Sequence, residues 1–297
     1  MIPPAGAEAV AVAGRRGWRE VVRNRNVQMG LALVGLLVLV GLLAPLLSPH
    51  APDELFADGL DEKGMPVAPS GRFWLGTDSL GRCVLSRLIY GARTAMLVAF
   101  FASLGAMIIG SVLAHISGYF GGAIDWIVGR MVDVWMSFPP VILSLILMVG
   151  LGVGLGKVIL AIVLVDWTRF CRVLRSEVLI VTRHDYVAAA RLLGFTHRQT
   201  IFREVLPATL PLLITLVSLE MAIAVVVEAI LSFVGLGVGA DQPAWGQMIA
   251  DARQYVYQSP WNLLLPILAI FLTVTAFNLL GDGLRRTLDV RLAEAGR

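Results

Sequence analysis

Six apolar runs alternate with short polar segments along this chain: Met29–Leu47, Thr94–Ser117, Val132–Val149, Val158–Leu174, Leu210–Val234 and Trp261–Leu280. Each is near the length of about twenty residues that carries a helix across a hydrocarbon core of about 30 Å. In lipid such a run must satisfy every backbone N–H and C=O within itself, and only a helix does that. The pattern therefore predicts an all-α polytopic membrane protein with six transmembrane helices. A charged content of 15% and a mean hydropathy of +0.79 fit that class, since a typical soluble chain is about a quarter charged.

Charge sets the sidedness. Arg15, Arg16, Arg19, Arg23 and Arg25 precede the first run, and Arg285, Arg286, Arg291 and Arg297 follow the last. A polar island between the fourth and fifth runs is counted as carrying Arg169, Arg172, Arg175, Arg183, Arg191, Arg198 and Arg203. The positive-inside rule puts all three on the cytoplasmic side, both termini included. The expected organisation is a cytoplasmic segment 1–28, a retained first span 29–47 and an outer segment 48–93. A core of five spans over 94–281 follows, with its cytoplasmic loop at 178–208, and then a cytoplasmic tail 282–297. Pro139–Pro140 should break or kink the third span, because neither proline can donate to the helical ladder. A short helix is expected around Met248–Tyr255 on the outer side.

Several functions lack their residues. The arginines flank spans and do not line an aromatic-bearing groove, which argues against nucleic acid. Cys83 and Cys171 lie far apart with no C-x-x-C, and the four histidines are scattered, so neither a disulfide nor a metal site is expected. Gly152-Val153-Gly154-Leu155-Gly156-Lys157 fails the spacing of a phosphate-binding loop and reads as a tight turn. No catalytic triad or paired-carboxylate arrangement stands out. Ionisable residues inside spans need a reason, because each costs about 2.5–3.5 kcal/mol at the bilayer centre on insertion scales. Asp166 and Glu220 are candidates for lining a substrate path or for pairing between subunits. Glu228 reads as packing, and His115 as a hydrogen-bonded or interfacial contact.

The island His184–Pro211 carries two helix starts. Asp185 is read as the N-cap of a short helix Tyr186–Leu193, with Gly194 in the left-handed position beyond its end. Thr196 and Gln199 form a T-x-x-Q capping box for a second helix, expected to end before Pro207. Two turns are marginal alone and call for a partner. Small side chains at Ala188, Ala189 and Ala190 allow close approach to one.

These residues resemble the EAA loop of bacterial ABC importer permeases, E-A-A-x-x-x-G followed by L-P. Here the loop reads Ala188-Ala189-Ala190-x-x-x-Gly194, with Leu206-Pro207 at the expected distance. Other stretches are similar to the C-type permeases of the dipeptide, oligopeptide and nickel branch. They include Leu75-Gly76-Thr77-Asp78 with Gly81-Arg82, Gly118-Tyr119-Phe120-Gly121-Gly122, Leu231-Ser232-Phe233, and Phe277-Asn278 through Gly283-Leu284.

The resemblance implies a MetI-like permease fold and a transport subunit with no catalytic role. It implies a heterodimer with a sister permease, two cytoplasmic ATPase subunits that bind ATP and Mg, and an extracytoplasmic substrate-binding protein. The site would be a bacterial inner or plasma membrane. ATPase coupling would run through Asp185, Tyr186, Ala188, Ala189, Ala190, Gly194, Leu206 and Pro207, with Asp166 and Glu220 on the path. Peptides are the expected substrate, with nickel chelates or another small solute as alternatives. A stand-alone facilitator or intramembrane enzyme is the runner-up from another class. Two positions depart from the pattern. Ala188 stands where the family has Glu, and Cys83 where it has Asp. With Asp185 as cap, position 188 would be the third helical residue, and losing a Glu there should weaken the helix by about 0.5–1 kcal/mol.

Overall fold

A computed structural model describes the backbone of residues 23–239 and 242–295, and side chains as far as residue 287. Arg15, Arg16, Arg19 and the side chains of Arg291 and Arg297, which contributed to the sidedness argument, lie outside the described residues. The described chain is helical, with isolated bridges at Leu60–Pro66 and Thr77–Cys83 in place of any strand.

Helix α1 (Arg25–Leu42) is capped by Asn24, whose side chain accepts from the Asn26 and Val27 amides, and a single turn α2 (Ala44–Leu47) follows. An aperiodic segment leads to α3 (Val84–Phe120). This helix begins ten residues before the expected span, so part of the outer segment is already helical. Helix α4 (Gly122–Met136) starts ten residues before the expected third span Val132–Val149 and ends within it, and α5 (Pro140–Leu151) carries the rest. They meet at 86°, so the prolines break the span and do not merely kink it. Pro140 starts α5, where its missing N–H leaves no bond unmade. The glycine-spaced turn holds its place through the Gly154 amide, which donates to the Gly237 carbonyl at 2.9 Å. Helix α6 (Leu155–Val181) then runs back through the molecule.

The remaining elements are α7 (Asp185–Leu192), α8 (His197–Thr200), α9 (Leu206–Phe233), α10 (Trp245–Ala252) and α11 (Pro260–Ala295). Length and apolarity mark α1, α3, the continuous stretch through α9, and α11 as able to cross a membrane, with the bent α4–α5 pair as a fifth. Helix α6 is long enough but carries Asp166, Arg169, Arg172 and Arg175, more charge than a lipid-exposed span tolerates. Those three arginines belong to this helix and not to the island where charge counting had grouped them.

The core forms where α3 packs along α6, the most extensive helix pair. Gly105, Gly110 and Gly118 lie on the contact, and a Cβ on Gly110 would sit 2.5 Å from both Phe170 Cβ and the Trp167 carbonyl. Small residues let two backbones approach closely, the main packing device where lipid removes the hydrophobic drive between helices. Helix α9 closes the other side of α3 and also packs on α11, which in turn covers α1. His115 joins α3 to α9: its ring nitrogens lie 2.7 Å from the Ser111 carbonyl and 3.1 Å from Thr209 Oγ1. Both cysteines are free and buried as packing residues.

Candidate functional site

Helix α7 is held to the end of the bundle by two inward residues. Val187 and Ala190, three apart on one face, are buried, and Val187 packs with Tyr119, Val178, Val181 and Val205. The opposite face is open: Asp185, Tyr186, Ala188 and Ala189 are exposed, and Leu192 and Leu193 are 90% and 80% exposed. Phe202 adds another exposed aromatic nearby in sequence. Partial burial of its ring, with Glu204 and Glu177 nearby, raises the Tyr186 phenol above its ordinary value. Arg191 lies over the Tyr119 ring at 4.8 Å, and the Tyr119 hydroxyl lies 3.0 Å from His197 Nδ1. These contacts tie both short helices to the end of α3.

The ends of α7 correct one reading and bear out another. His184, with an extended backbone, is the N-cap and makes no side-chain bond. Asp185 is the first helical residue, so it serves the positive end of the helix dipole and does not cap it. Ala188 is consequently the fourth helical residue, not the third. A Glu there could not complete a capping box, and the third position belongs to the buried Val187. The weakness assigned to Ala188 therefore disappears. The C-terminus closes as a Schellman motif, with the Phe195 amide donating to the Ala190 carbonyl and the Gly194 amide to that of Arg191. Gly194 has φ +89°, a conformation that suits glycine.

The Thr196–Gln199 capping box is present in full. Its helix does not end before Pro207. It widens into a π turn at Ile201–Val205, where the Leu206 amide reaches the Ile201 carbonyl, and continues directly as α9. Proline lacks a donor and its ring meets the carbonyl four residues back in a regular helix. The π turn accommodates that mismatch just before Pro207 without stopping the chain. Leu206 is half-buried and Pro207 exposed at this junction.

Asp166 and Glu220 come together although they lie on different helices. Arg169 Nη1 donates to Glu220 Oε2 at 3.0 Å, and Arg169 Nη2 lies 3.6 Å from Asp166 Oδ1. Both carboxylates are buried, whereas the Arg169 side chain is 35% exposed. Glu220 Oε1 is buried with no hydrogen-bond partner. Arg169, Phe170, Leu216, Leu219, Glu220 and Ile223 line a cleft of about 150 Å³. Glu228 is fully buried and accepts from Ser232 Oγ at 2.6 Å, the packing role expected of it.

Further charged residues surround these and were not singled out beforehand. Arg172 Nη2 donates to Asp133 Oδ1 at 3.0 Å, Arg130 Nη2 lies 2.7 Å from Asp133 Oδ2, and Arg175 pairs with Asp125. The Arg172–Asp133 and Arg175–Asp125 pairs fasten α4 to α6, while Arg130–Asp133 lies within α4. Their only sequence signal is the i, i+3 spacing of Asp166, Arg169, Arg172 and Arg175. At the opposite end of α3 Asp78 accepts from Arg82 Nε at 2.7 Å and lies 3.4 Å from Arg87 Nε, while Arg82 Nη2 reaches Asp251 Oδ2 at 3.3 Å. Burial raises the Asp251 carboxyl above its usual range, against the pull of Arg82 and Arg87.

Comparison with known proteins decides the family. Residues 106–294 match the binding-protein-dependent transport system inner membrane component family, and residues 13–63 match the N-terminal transmembrane domain of oligopeptide transport permease C. The chain belongs to the inner membrane components of binding-protein-dependent transport systems. A dipeptide transport system permease of Alkalihalophilus pseudofirmus is 34% identical over 98% of this chain and 94% of the relative. A glutathione transport system permease of Pectobacterium atrosepticum is 34% identical over 98% and 95%. A nickel transport system permease of Escherichia coli is 36% identical over 90% and 95%. This is a C-type permease, a multi-pass inner membrane protein whose role is transport and not catalysis. A permease of this kind works within a complex that includes other permease, ATPase and substrate-binding subunits.

Proposed function

We propose that this chain is one of two different permease subunits of an ATP-driven importer of peptides. The dipeptide and glutathione systems of its relatives and the match to an oligopeptide permease favour that substrate class. In this reading the chain has six spans, with α6 as the sixth: its apolar sides are covered by α3 and α9, and its charged side faces away from lipid. Both termini and α7 lie in the cytoplasm, and the segments 48–93 and 236–260 face the binding protein. ATP and Mg bind in the two partner ATPases. Asp166 and Glu220 line the path.

The observation that carries this reading is the construction of α7. Its two anchoring residues, Val187 and Ala190, face inward, and its small and apolar residues face outward at one end of the bundle. A capped two-turn helix with that arrangement suits a groove on a soluble partner, where closure of the ATPases would push on it and through the π turn on α9.

Ala189 offers the test, because it is exposed and a large residue there can act only through a partner. In the purified complex, Ala189→Trp or Leu192→Glu should leave this subunit folded while co-purification of the ATPases falls or their hydrolysis no longer drives uptake. Gly194→Pro should do the same by removing the amide that closes the helix. Normal uptake and normal ATPase recovery in all three variants would sink the proposal.

A further inference from the structure

The loop between α2 and α3 is aperiodic, yet its fold is fixed by cross-links. The Thr77 hydroxyl donates to the Gly59 carbonyl at 2.5 Å and accepts from the Val67 amide at 2.8 Å. Asn262 on α11 donates to the Thr77 carbonyl at 2.8 Å. Gly59 lies so close to Gly81 that a Cβ would stand 2.3 Å from its carbonyl oxygen. The rings of Phe56 and Phe73 meet edge to face at 5.2 Å, and Arg72 lies over both while pairing with Asp58. Leu55 and Trp74, each next in the chain to one of those rings, are nevertheless 65% and 70% exposed. The same loop carries the exposed acids Asp53, Glu54, Asp58, Asp61 and Glu62 against exposed Lys63 and Arg72, in a chain of net charge +3.

Height along α3 decides between lipid and protein as the cover for these side chains. The Val84 amide, first in α3, donates to the Gly76 carbonyl, and the Phe56 amide donates to that of Gly81. Trp74 and Leu55 therefore sit near the level of the first turn of α3. The apolar run begins ten residues later at Thr94, beside the exposed Arg93, a rise of about 15 Å. Headgroups occupy about 5–8 Å on each face of a bilayer, and anionic lipid attracts Lys and Arg but repels acids. An exposed apolar patch with a polar rim that lies beyond lipid marks a protein contact, and a Trp held on a rigid loop suits its anchor. We infer that Leu55 and Trp74, with the acids of their loop, are this subunit's docking surface for the substrate-binding protein, which meets them with an apolar recess rimmed by Lys and Arg. The acids steer the approach and the two apolar side chains hold the docked state. The inference rests on the proposed outward placement of segment 48–93, and adds to it the contact residues and the charge of the partner's face.

The test uses the complete transporter in phosphatidylcholine nanodiscs and its purified, ligand-loaded binding protein, with association and dissociation rates followed at low and high salt. Association with the unaltered transporter should slow as salt rises, because screening shortens the reach of the acids. Glu54→Lys combined with Glu62→Lys should lower the low-salt association rate by about tenfold and remove its fall with salt. Trp74→Ala should change association little and speed dissociation by about tenfold or more. These side chains are exposed, so recovery of the folded complex should not change. Parental rates in both variants overturn the docking surface and leave the importer standing. Faster association of the Lys variant means that the partner's face is acidic, and overturns it as well.

Labelling of Trp74→Cys by a membrane-impermeant maleimide in right-side-out vesicles separates this from failure of the topology, and the buried Cys83 and Cys171 keep the background low. Labelling from outside that loaded binding protein blocks is the expected result. Labelling that the binding protein leaves unchanged overturns the docking surface alone. Labelling only after detergent opens the vesicles places the loop inside, and the topology falls with the docking surface. No labelling from either side means that lipid or the sister permease covers position 74, and the docking surface falls while the importer stands. If the unaltered transporter binds no binding protein, the importer reading falls and the docking surface with it.

Discussion

Two ionic clusters in this permease use the same residue types toward different ends. The outer one joins Asp78, Arg82, Arg87 and Asp251, drawing the loop before α3, α3 itself and α10 together. Its two acids balance its two bases, and the space beside it is only about 10 Å³, room for about one water. The inner one sets two acids, Asp166 and Glu220, against Arg169 and opens onto about 150 Å³. Charge balance and free volume therefore separate a clamp from a site. The outer cluster packs with almost no space beside it, while the inner one borders a cleft that water can enter.

The largest effect should come from opening the clamp. Asp78 is the shared partner of both outer arginines and also accepts from the Leu80 and Arg82 amides at 2.9 Å. Asp78→Ala strands Arg87, which is 1% exposed and already keeps Nε and Nη2 without hydrogen bonds. Breaking a buried pair on one side costs about 3–5 kcal/mol. The expected result is poor recovery of folded permease or a large drop in its melting temperature. A melting temperature within a degree or two of the parent would show that the outer cluster is not a clamp.

The sequence disclosed these regions unequally, for physical reasons. Helices set by local rules were legible: apolar length gave α1, α3, α9 and α11, Pro139–Pro140 the break, Thr196 and Gln199 their capping box, and Gly194 the left-handed turn. The cap of α7 was missed by one residue because neither His184 nor Asp185 makes a side-chain bond to mark it. The π turn before Pro207 was illegible because a proline ordinarily signals a stop, and only packing on both sides keeps that helix going. The pairing of Arg169 with Glu220 and of Arg172 with Asp133 joins residues 51 and 39 apart. No periodicity within one helix reports such contacts, so Asp166 and Glu220 were recognised singly and their arginines were counted as cytoplasmic flank.

A smaller effect on stability should follow from Arg169→Gln. Arg169 is itself 35% exposed beside a cleft that admits water, and glutamine can still donate to Glu220, so the cost should fall below that of Asp78→Ala. Uptake should suffer more than melting temperature. A thermal loss as large as that of Asp78→Ala would place both clusters in the same structural class and remove the contrast between them.

Glu228→Gln should be the mildest change, and it tests whether burial alone makes a carboxylate functional in this chain. Glu228 is as buried as Glu220, lies two turns further along α9, and has its own partner in Ser232. Glutamine keeps an acceptor for the Ser232 hydroxyl and removes the burden of a buried charge, two effects of about 1 kcal/mol that oppose each other. Melting temperature and uptake should both stay close to the parent. If uptake instead falls as far as in Glu220→Gln, the route along α9 extends beyond the Arg169 cleft, and free volume beside a carboxylate is not what selects the working residues.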